Sequence, residues 1–290
     1  MAQTNNLAVE HLSMLTTPIY LLKGDSVVSQ GTGFFVAKND TAKKQTYLYL
    51  VTNYHVLTGS APNDNKPSIG DNIIFLLHKD PSNPQDVKEI RYPLFTKSKQ
   101  PVWKTSDKYH EADIALILLP SSVYNDCSVF AISEDWSKPI IKVRPSSSLT
   151  LVGYPYGYYD KANSLPIWKT GSVASEPNID FDSKPLFVVD ISAFPGMSGA
   201  PAFVVANGAY EIVDGGTSVG RLQQFMGIYA SMQMLNGKKY LEQLGVNDKI
   251  PGITFSESLE LGHVWKATLI FEIINKFDIN QYEKNIIKNL

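Results

Sequence analysis

From Ile19 to Met232 the chain alternates short β-branched and aromatic runs with glycine, proline and polar breaks, and a helical period appears only near its C-terminus. Many short strands without interleaved helices cannot build a parallel sheet, so they must close as antiparallel sandwiches or barrels. In the first half the runs fall at 19–23, 27–37, 47–57, 73–77, 89–95, 101–104 and 114–119. Residues 80–86 and 59–72 read as loops, and Gly31 and Gly33 inside the second run suggest a bulge or a close backbone approach. The stretch 121–148 is poorer in apolar residues and carries Pro139 and Pro145, so it links two halves. Strands resume at 149–153, 167–173, 186–191, 201–206, 209–213 and 224–232, with Asn207-Gly208 suited to a two-residue type I′ turn. Residues 251–261 read as loop. Val264, Ala267, Ile270, Phe271, Ile274 and Phe277 recur near every 3.6 residues and predict an amphipathic helix over 263–277. Residues 282–290 add a turn or two, and 1–17 form a leader with a short helix over Val9, Leu12 and Leu15. The expected organisation is a leader (1–17), a first β-unit (18–145), a second β-unit (146–262) and a helical end (263–290).

Composition narrows the function classes. With 290 residues, 43% of them hydrophobic, the chain can bury a sizeable core. A net charge of −2 leaves no basic field for nucleic acid or an anionic membrane. The single cysteine, Cys127, forbids an internal disulfide framework. Residues 1–15 lack Lys and Arg, and no later run is long and apolar enough to span a bilayer, so a cytoplasmic protein is expected. No His, Cys and Asp cluster has ligand spacing, so neither a metal nor a cofactor is expected.

Chemistry concentrates in Phe194-Pro195-Gly196-Met197-Ser198-Gly199-Ala200-Pro201. Glycine two residues before a serine allows a turn that side chains would block, and it bares backbone N–H groups. If the N–H groups of Gly196 and Ser198 converge, they form a site for a developing oxyanion. Taken alone, such a string is equally an ordinary turn. A serine hydroxyl needs a base, and the base needs a carboxylate to fix its tautomer. His55 closes the apolar run Leu50-Val51-Thr52-Asn53-Tyr54-His55-Val56, and Asp113 opens the apolar run Asp113-Ile114-Ala115-Leu116. The order His, Asp, Ser is one of several in which this triad arises.

The sequence resembles the trypsin-like (chymotrypsin-fold) serine peptidases, most of all their bacterial HtrA-type and stand-alone members. The resemblance rests on Gly31-Thr32-Gly33-Phe34-Phe35-Val36, Thr52-Asn53-Tyr54-His55-Val56, Asp113-Ile114-Ala115-Leu116, Val152-Gly153-Tyr154-Pro155, Thr170-Gly171-Ser172-Val173, Pro195 to Pro201 and Gly227-Ile228-Tyr229-Ala230, in the family's order. It implies an all-β fold of two antiparallel β-barrels with a C-terminal α-helix. It implies a serine endopeptidase with Ser198 as nucleophile, His55 as general base then acid, and Asp113 as orienting carboxylate. Gly196 and Ser198 would supply the oxyanion N–H groups. The strand Ile228-Tyr229-Ala230 would pair with substrate backbone, with Ser192 and Ala193 at the base of the P1 pocket and Ala230 on its wall. No acid stands at that base, so an uncharged P1 residue is expected.

Met197 stands where zymogen-type relatives carry an aspartate, so activation through a new N-terminus is not expected. Because the chain ends soon after the helix, the PDZ module of HtrA relatives is not expected. The stretch 234–258 departs from the family and reads as a regulatory or specificity loop. Expected partners are a protein or peptide substrate, one dedicated protein included, and a regulatory partner is compatible. Two other readings stay open: a silent peptidase scaffold that binds, and an α/β-hydrolase using Ser198 with Asp248 and His263. The strand–helix alternation that the second requires is missing.

Overall fold

The computed structural model describes residues 9–64, 66–239 and 253–290. A helical turn, α1 (His11–Met14), leads into strands β1 (Thr16–Lys23), β2 (Ser26–Asp40), β3 (Gln45–Thr52), β4 (Asn72–Asp80), β5 (Asn83–Pro93) and β6 (Ala115–Leu119). They form one antiparallel sheet in the order β5-β4-β1-β2-β3-β6. The irregular segment 94–104 bridges its two ends. The Val102 N–H donates to Leu94 O at 3.0 Å, and Lys104 and Leu116 exchange backbone bonds of 2.9 Å. β7 (Ser148–Gly153), β8 (Ile167–Val173), β9 (Leu186–Asp190), β10 (Pro201–Glu211), β11 (Thr217–Lys239) and β12 (Ile253–Lys266) close into a barrel in the order β10-β11-β12-β9-β8-β7. The all-β architecture with a C-terminal helix therefore stands.

That helix, α4 (Ala267–Asn275), leaves the second barrel and packs back on the first. Its Leu269, Ile270, Phe271, Ile273 and Ile274 join the same core cluster as Phe34, Leu50 and Ile117. Burying each such side chain contributes about 1.5–3 kcal/mol. Val152, Phe203, Phe225 and Ile228 from the second barrel also enter this cluster, so apolar packing is continuous between the halves. A smaller cluster around Leu149, Phe187, Met197 and Tyr229 fills the second barrel. A last helix, α5 (Ile279–Asn285), is capped by the Asp278 carboxylate, which accepts from Gln281 N–H at 2.9 Å.

Several local expectations are corrected. Asn207-Gly208 is not a hairpin turn. β10 runs through it, with Asn207 opposite Arg221 and Gly208 opposite Gly220. The chain reverses instead at 213–216, where Gly215 and Gly216 both take positive φ (88° and 94°) at no steric cost. Residues 253–261 are strand rather than loop. The helix begins at Ala267, not 263, because Val264 and Trp265 pair with Phe187 and Leu186. The run 47–57 divides: β3 stops at Thr52, where its pairing with β6 ends at Ala115, and a one-turn helix, α2 (Tyr54–Thr58), follows. Residues 101–104 form only isolated bridges. The 80–86 loop reduces to a tight turn, since Asp80 already faces Asn83 across the β4–β5 hairpin. Pro84 is tolerated there because β5 lies at the end of the sheet order. Of the expected 234–258 loop, 234–239 and 253–258 pair as strands, while 240–252 lie outside the described residues. Residues 1–8 of the leader do so too. No helix among the described residues is long and apolar enough to cross a membrane.

One buried group predicts a pH response. His78 on β4 is 5% exposed, and its Nδ1 lies 3.1 Å from Pro84 O. Burial lowers its pKa below 6.5. The unfolded chain therefore binds the proton more readily, and stability falls as pH drops below about 6.5. Thermal unfolding at pH 7.5 and 5 should show a drop in Tm that is shallower in His78→Gln. An equally steep drop in the variant would contradict this role.

Candidate active site

α2 exists to present His55. It opens at the extended Asn53 and closes at Gly59, whose φ of 76° ends the turn and whose N–H returns to His55 O at 2.7 Å. His55 thus sits on a helical turn just beyond the strand end, not in the strand. Asp113 precedes β6, which pairs with β3, so the sheet brings together residues 58 apart in sequence. The Asp113 Oδ2 lies 2.5 Å from His55 Nδ1, and its Oδ1 accepts the His55 backbone N–H at 3.0 Å. Asn53 Nδ2 donates to the Asp113 backbone carbonyl at 2.5 Å. The Asp113 side chain is 14% exposed, so both oxygens need these donors. With Nδ1–H donated to the carboxylate, Nε2 is left as the acceptor.

Ser198 is held between the two β-units. Its carbonyl accepts the Thr32 N–H at 2.8 Å, tying the loop to β2. Gly199 has φ of 88°, and a Cβ there would lie 1.9 Å from Thr32 O, so only glycine fits. Gly31 is a point of close approach. A Cβ there would lie 2.6 Å from a Val56 methyl and 3.2 Å from Ser198 O. Met197 is fully buried, and its N–H donates to Phe194 O at 3.0 Å. Apolar packing thus anchors the position where an aspartate was not found. Neither the Gly196 nor the Ser198 N–H has an intramolecular acceptor among the described residues. The Ser198 hydroxyl donates to Ala230 O at 3.1 Å, and among the described residues no hydrogen bond joins it to His55.

The residues expected to contact substrate are placed unequally. Ser192 is exposed and Ala193 is buried. Ile228 is already paired on both sides, with Pro201 and Trp265. Tyr229 donates to Ala200 O and accepts from Gly199 N, both at 2.9 Å. The expected pairing of substrate with Ile228 and Tyr229 is therefore corrected: their backbone groups are engaged. From Ser231 to Lys239, β11 pairs with β12 only among the described residues. The Tyr229 ring rests where a Gly262 Cβ would fall, 2.3 Å from Cε2, and burial pushes its pKa up to about 12.

A cleft of about 430 Å³ runs between His55, Asp113, Ala230, Ser231, His263 and Trp265. Two larger cavities, about 500 and 580 Å³, include none of His55, Asp113 or Ser198. His263, the alternative base, stands on β12 with Nδ1 3.3 Å from Ser231 Oγ, and burial lowers its pKa. It makes no bond to Ser198 among the described residues. Sequence reasoning missed the hydroxyl of Thr32, which donates to Gly196 O at 2.7 Å. It also missed a cluster beside the serine loop, in which Lys169 Nζ sits 4.6 Å from the exposed Phe194 ring centroid and the exposed Tyr156 ring lies tilted to that ring, 5.8 Å away. The glycines flanking Thr32 were the available signal for the first.

Residues 31–209 match the model of the trypsin-like peptidase domain. The chain belongs to that family. Among solved structures it is similar to the serine endoprotease from Yersinia pestis, at 15% identity and a TM-score of 0.45 over 91% of this chain and 62% of that one. It thus spans less than two thirds of the Yersinia protein. A thermostable serine protease, AL20, from an extremophilic microorganism shows 12% identity and a TM-score of 0.47 over 92% and 97% of the two chains. An inactive form of Rv3671c from M. tuberculosis H37Rv shows 16% identity and a TM-score of 0.42 over 93% and 89%. No curated protein sequence matches the chain.

Proposed function

We propose that the protein is a serine endopeptidase that cuts protein or peptide substrates through an acyl-enzyme. The observation that carries this reading is the doubly bonded Asp113, which holds the His55 ring and its backbone N–H together. In the proposed reaction Ser198 Oγ attacks the scissile carbonyl carbon while His55 Nε2 takes the hydroxyl proton. The charge that develops on oxygen falls to the N–H groups of Gly196 and Ser198, each donor contributing about 3–4 kcal/mol in comparable sites. Collapse breaks the C–N bond, and His55 returns the proton to the leaving amine. Water then repeats the sequence to release the acid.

A substrate strand would use the β11 edge from Ser231 onward, supported by the lack of a second pairing partner there among the described residues. Ser192, Ala193 and Ala230 bear no charge, which favours an uncharged P1 residue. The lone thiol of Cys127 suits a reducing, cytoplasmic setting. Mass spectrometry of a peptide library should find internal cleavage after small or medium uncharged residues. Dominant cleavage after Lys or Arg would overturn the specificity, and intact peptides throughout would overturn the activity.

A second reading is a latent enzyme, or a binding scaffold, and one observation favours it: the Ser198 hydroxyl bonds to Ala230 O instead of the base. In a latent enzyme, substrate or a regulatory partner would have to turn that hydroxyl toward His55.

A further inference from the structure

We infer that Thr32 is a positioning residue whose hydroxyl fixes the oxyanion-binding peptides of the serine loop. This rests on the peptidase reading above. Gly196 can adopt φ of either sign, and it stands at 96°. Nothing intrinsic to glycine keeps its N–H aimed at a substrate, so the hold must come from its surroundings.

Three successive peptide planes set the two donors. The Pro195–Gly196 plane carries the first N–H, and its carbonyl accepts the Tyr156 N–H at 2.6 Å. The Met197–Ser198 plane carries the second, and the Ser198 carbonyl beyond it accepts the Thr32 N–H. The Gly196–Met197 plane lies between them. Its N–H donates to Phe194 O, and its carbonyl accepts the Thr32 hydroxyl at 2.7 Å. The tilt of this middle plane decides whether the two flanking N–H groups converge.

Thr32 is built to hold it. The side chain is fully buried, so no water competes for the hydroxyl. The same oxygen accepts the Tyr154 N–H at 3.0 Å, which fixes the direction of its own proton. Its backbone C=O accepts the Thr52 hydroxyl at 2.7 Å. Gly153 leaves the space, since a Cβ there would lie 2.8 Å from Thr32 Oγ1. A rigid residue of the first sheet thereby sets the geometry of a loop in the second barrel, 164 residues away.

The test compares wild type with Thr32→Val, Thr32→Ser and Thr32→Ala on one cleaved peptide, together with labelling rates by a fluorophosphonate. Thr32→Val keeps the volume and the backbone N–H bond to Ser198 and removes only the hydroxyl. Its kcat is expected to fall about 10- to 100-fold with KM within about twofold, since small misplacements of catalytic groups carry such costs. Thr32→Ser should return to within about threefold of wild type. Thr32→Ala repeats the loss and serves if valine does not fold. A purely structural role would lower Tm and leave kcat of the folded fraction unchanged, and that result overturns the inference. Wild type that neither cleaves nor labels instead overturns the peptidase reading itself.

Discussion

Ser198→Ala is expected to lower peptide hydrolysis by about 10⁶-fold, because the members of such a triad act as a unit and loss of the nucleophile removes nearly all covalent catalysis. The fold should not change. Among the described residues the Ser198 side chain makes a single hydrogen bond, to Ala230 O, worth roughly 1 kcal/mol. The contacts that seat the loop are backbone ones, from Thr32 N–H to Ser198 O and from Gly199 N–H to Tyr229 O, and alanine keeps both. Hydrolysis rates and thermal unfolding measured on the same preparation check the two halves of this expectation. A variant with near-normal turnover would mean that another group attacks the substrate.

Asp113→Asn is expected to cost about 10⁴-fold in kcat, the scale seen when a triad carboxylate becomes an amide. The reason lies in the two bonds of Asp113, which both need an acceptor: the His55 backbone N–H and the Nδ1–H of its ring. An amide has one acceptor oxygen. If that oxygen keeps the backbone N–H, the amide NH₂ faces Nδ1 and donates to it. The ring proton then moves to Nε2, which can no longer accept from a serine. If the amide turns over, the backbone N–H faces a donor and α2 is disturbed. Steady-state kinetics should show the loss in kcat, with KM little altered. A variant within tenfold of wild type would remove Asp113 from the proposed role.

Much of the fold is legible because steric and periodic signals are local. Gly31 announces a close approach because no side chain could stand against Val56 and Ser198 O. The apolar runs around Leu50 and Ile117 announce buried strands because β-branched and aromatic residues fit a pleated interior. The signals that misled are those shared by two structures. Asn-Gly suits a turn, yet the long β10–β11 ladder absorbs it and turns instead at two adjacent glycines. Val264 fits a helical spacing, yet β9 claims it as a strand residue. The site divides in the same way. His55, Asp113 and Ser198 are legible as residue types in order. The bond from the Thr32 hydroxyl to Gly196 O is not, because it joins distant segments through a side chain with no local signature. Nor is the rotamer that places Ser198 Oγ on Ala230 O, or the engagement of Tyr229 with Ala200 that removes it from the substrate edge.

The most direct measurement of the central claim is labelling with a fluorophosphonate, which forms a stable adduct only with an activated serine. Wild type is compared with folded Ser198→Ala, His55→Ala and His263→Ala, and the adduct is located by peptide mass mapping. The expected result is an adduct on Ser198 in wild type and His263→Ala, and none in Ser198→Ala or His55→Ala. Labelling that survives His55→Ala but is lost in His263→Ala would contradict the assignment of the base, and a wild-type protein that stays unlabelled would contradict an activated Ser198 altogether.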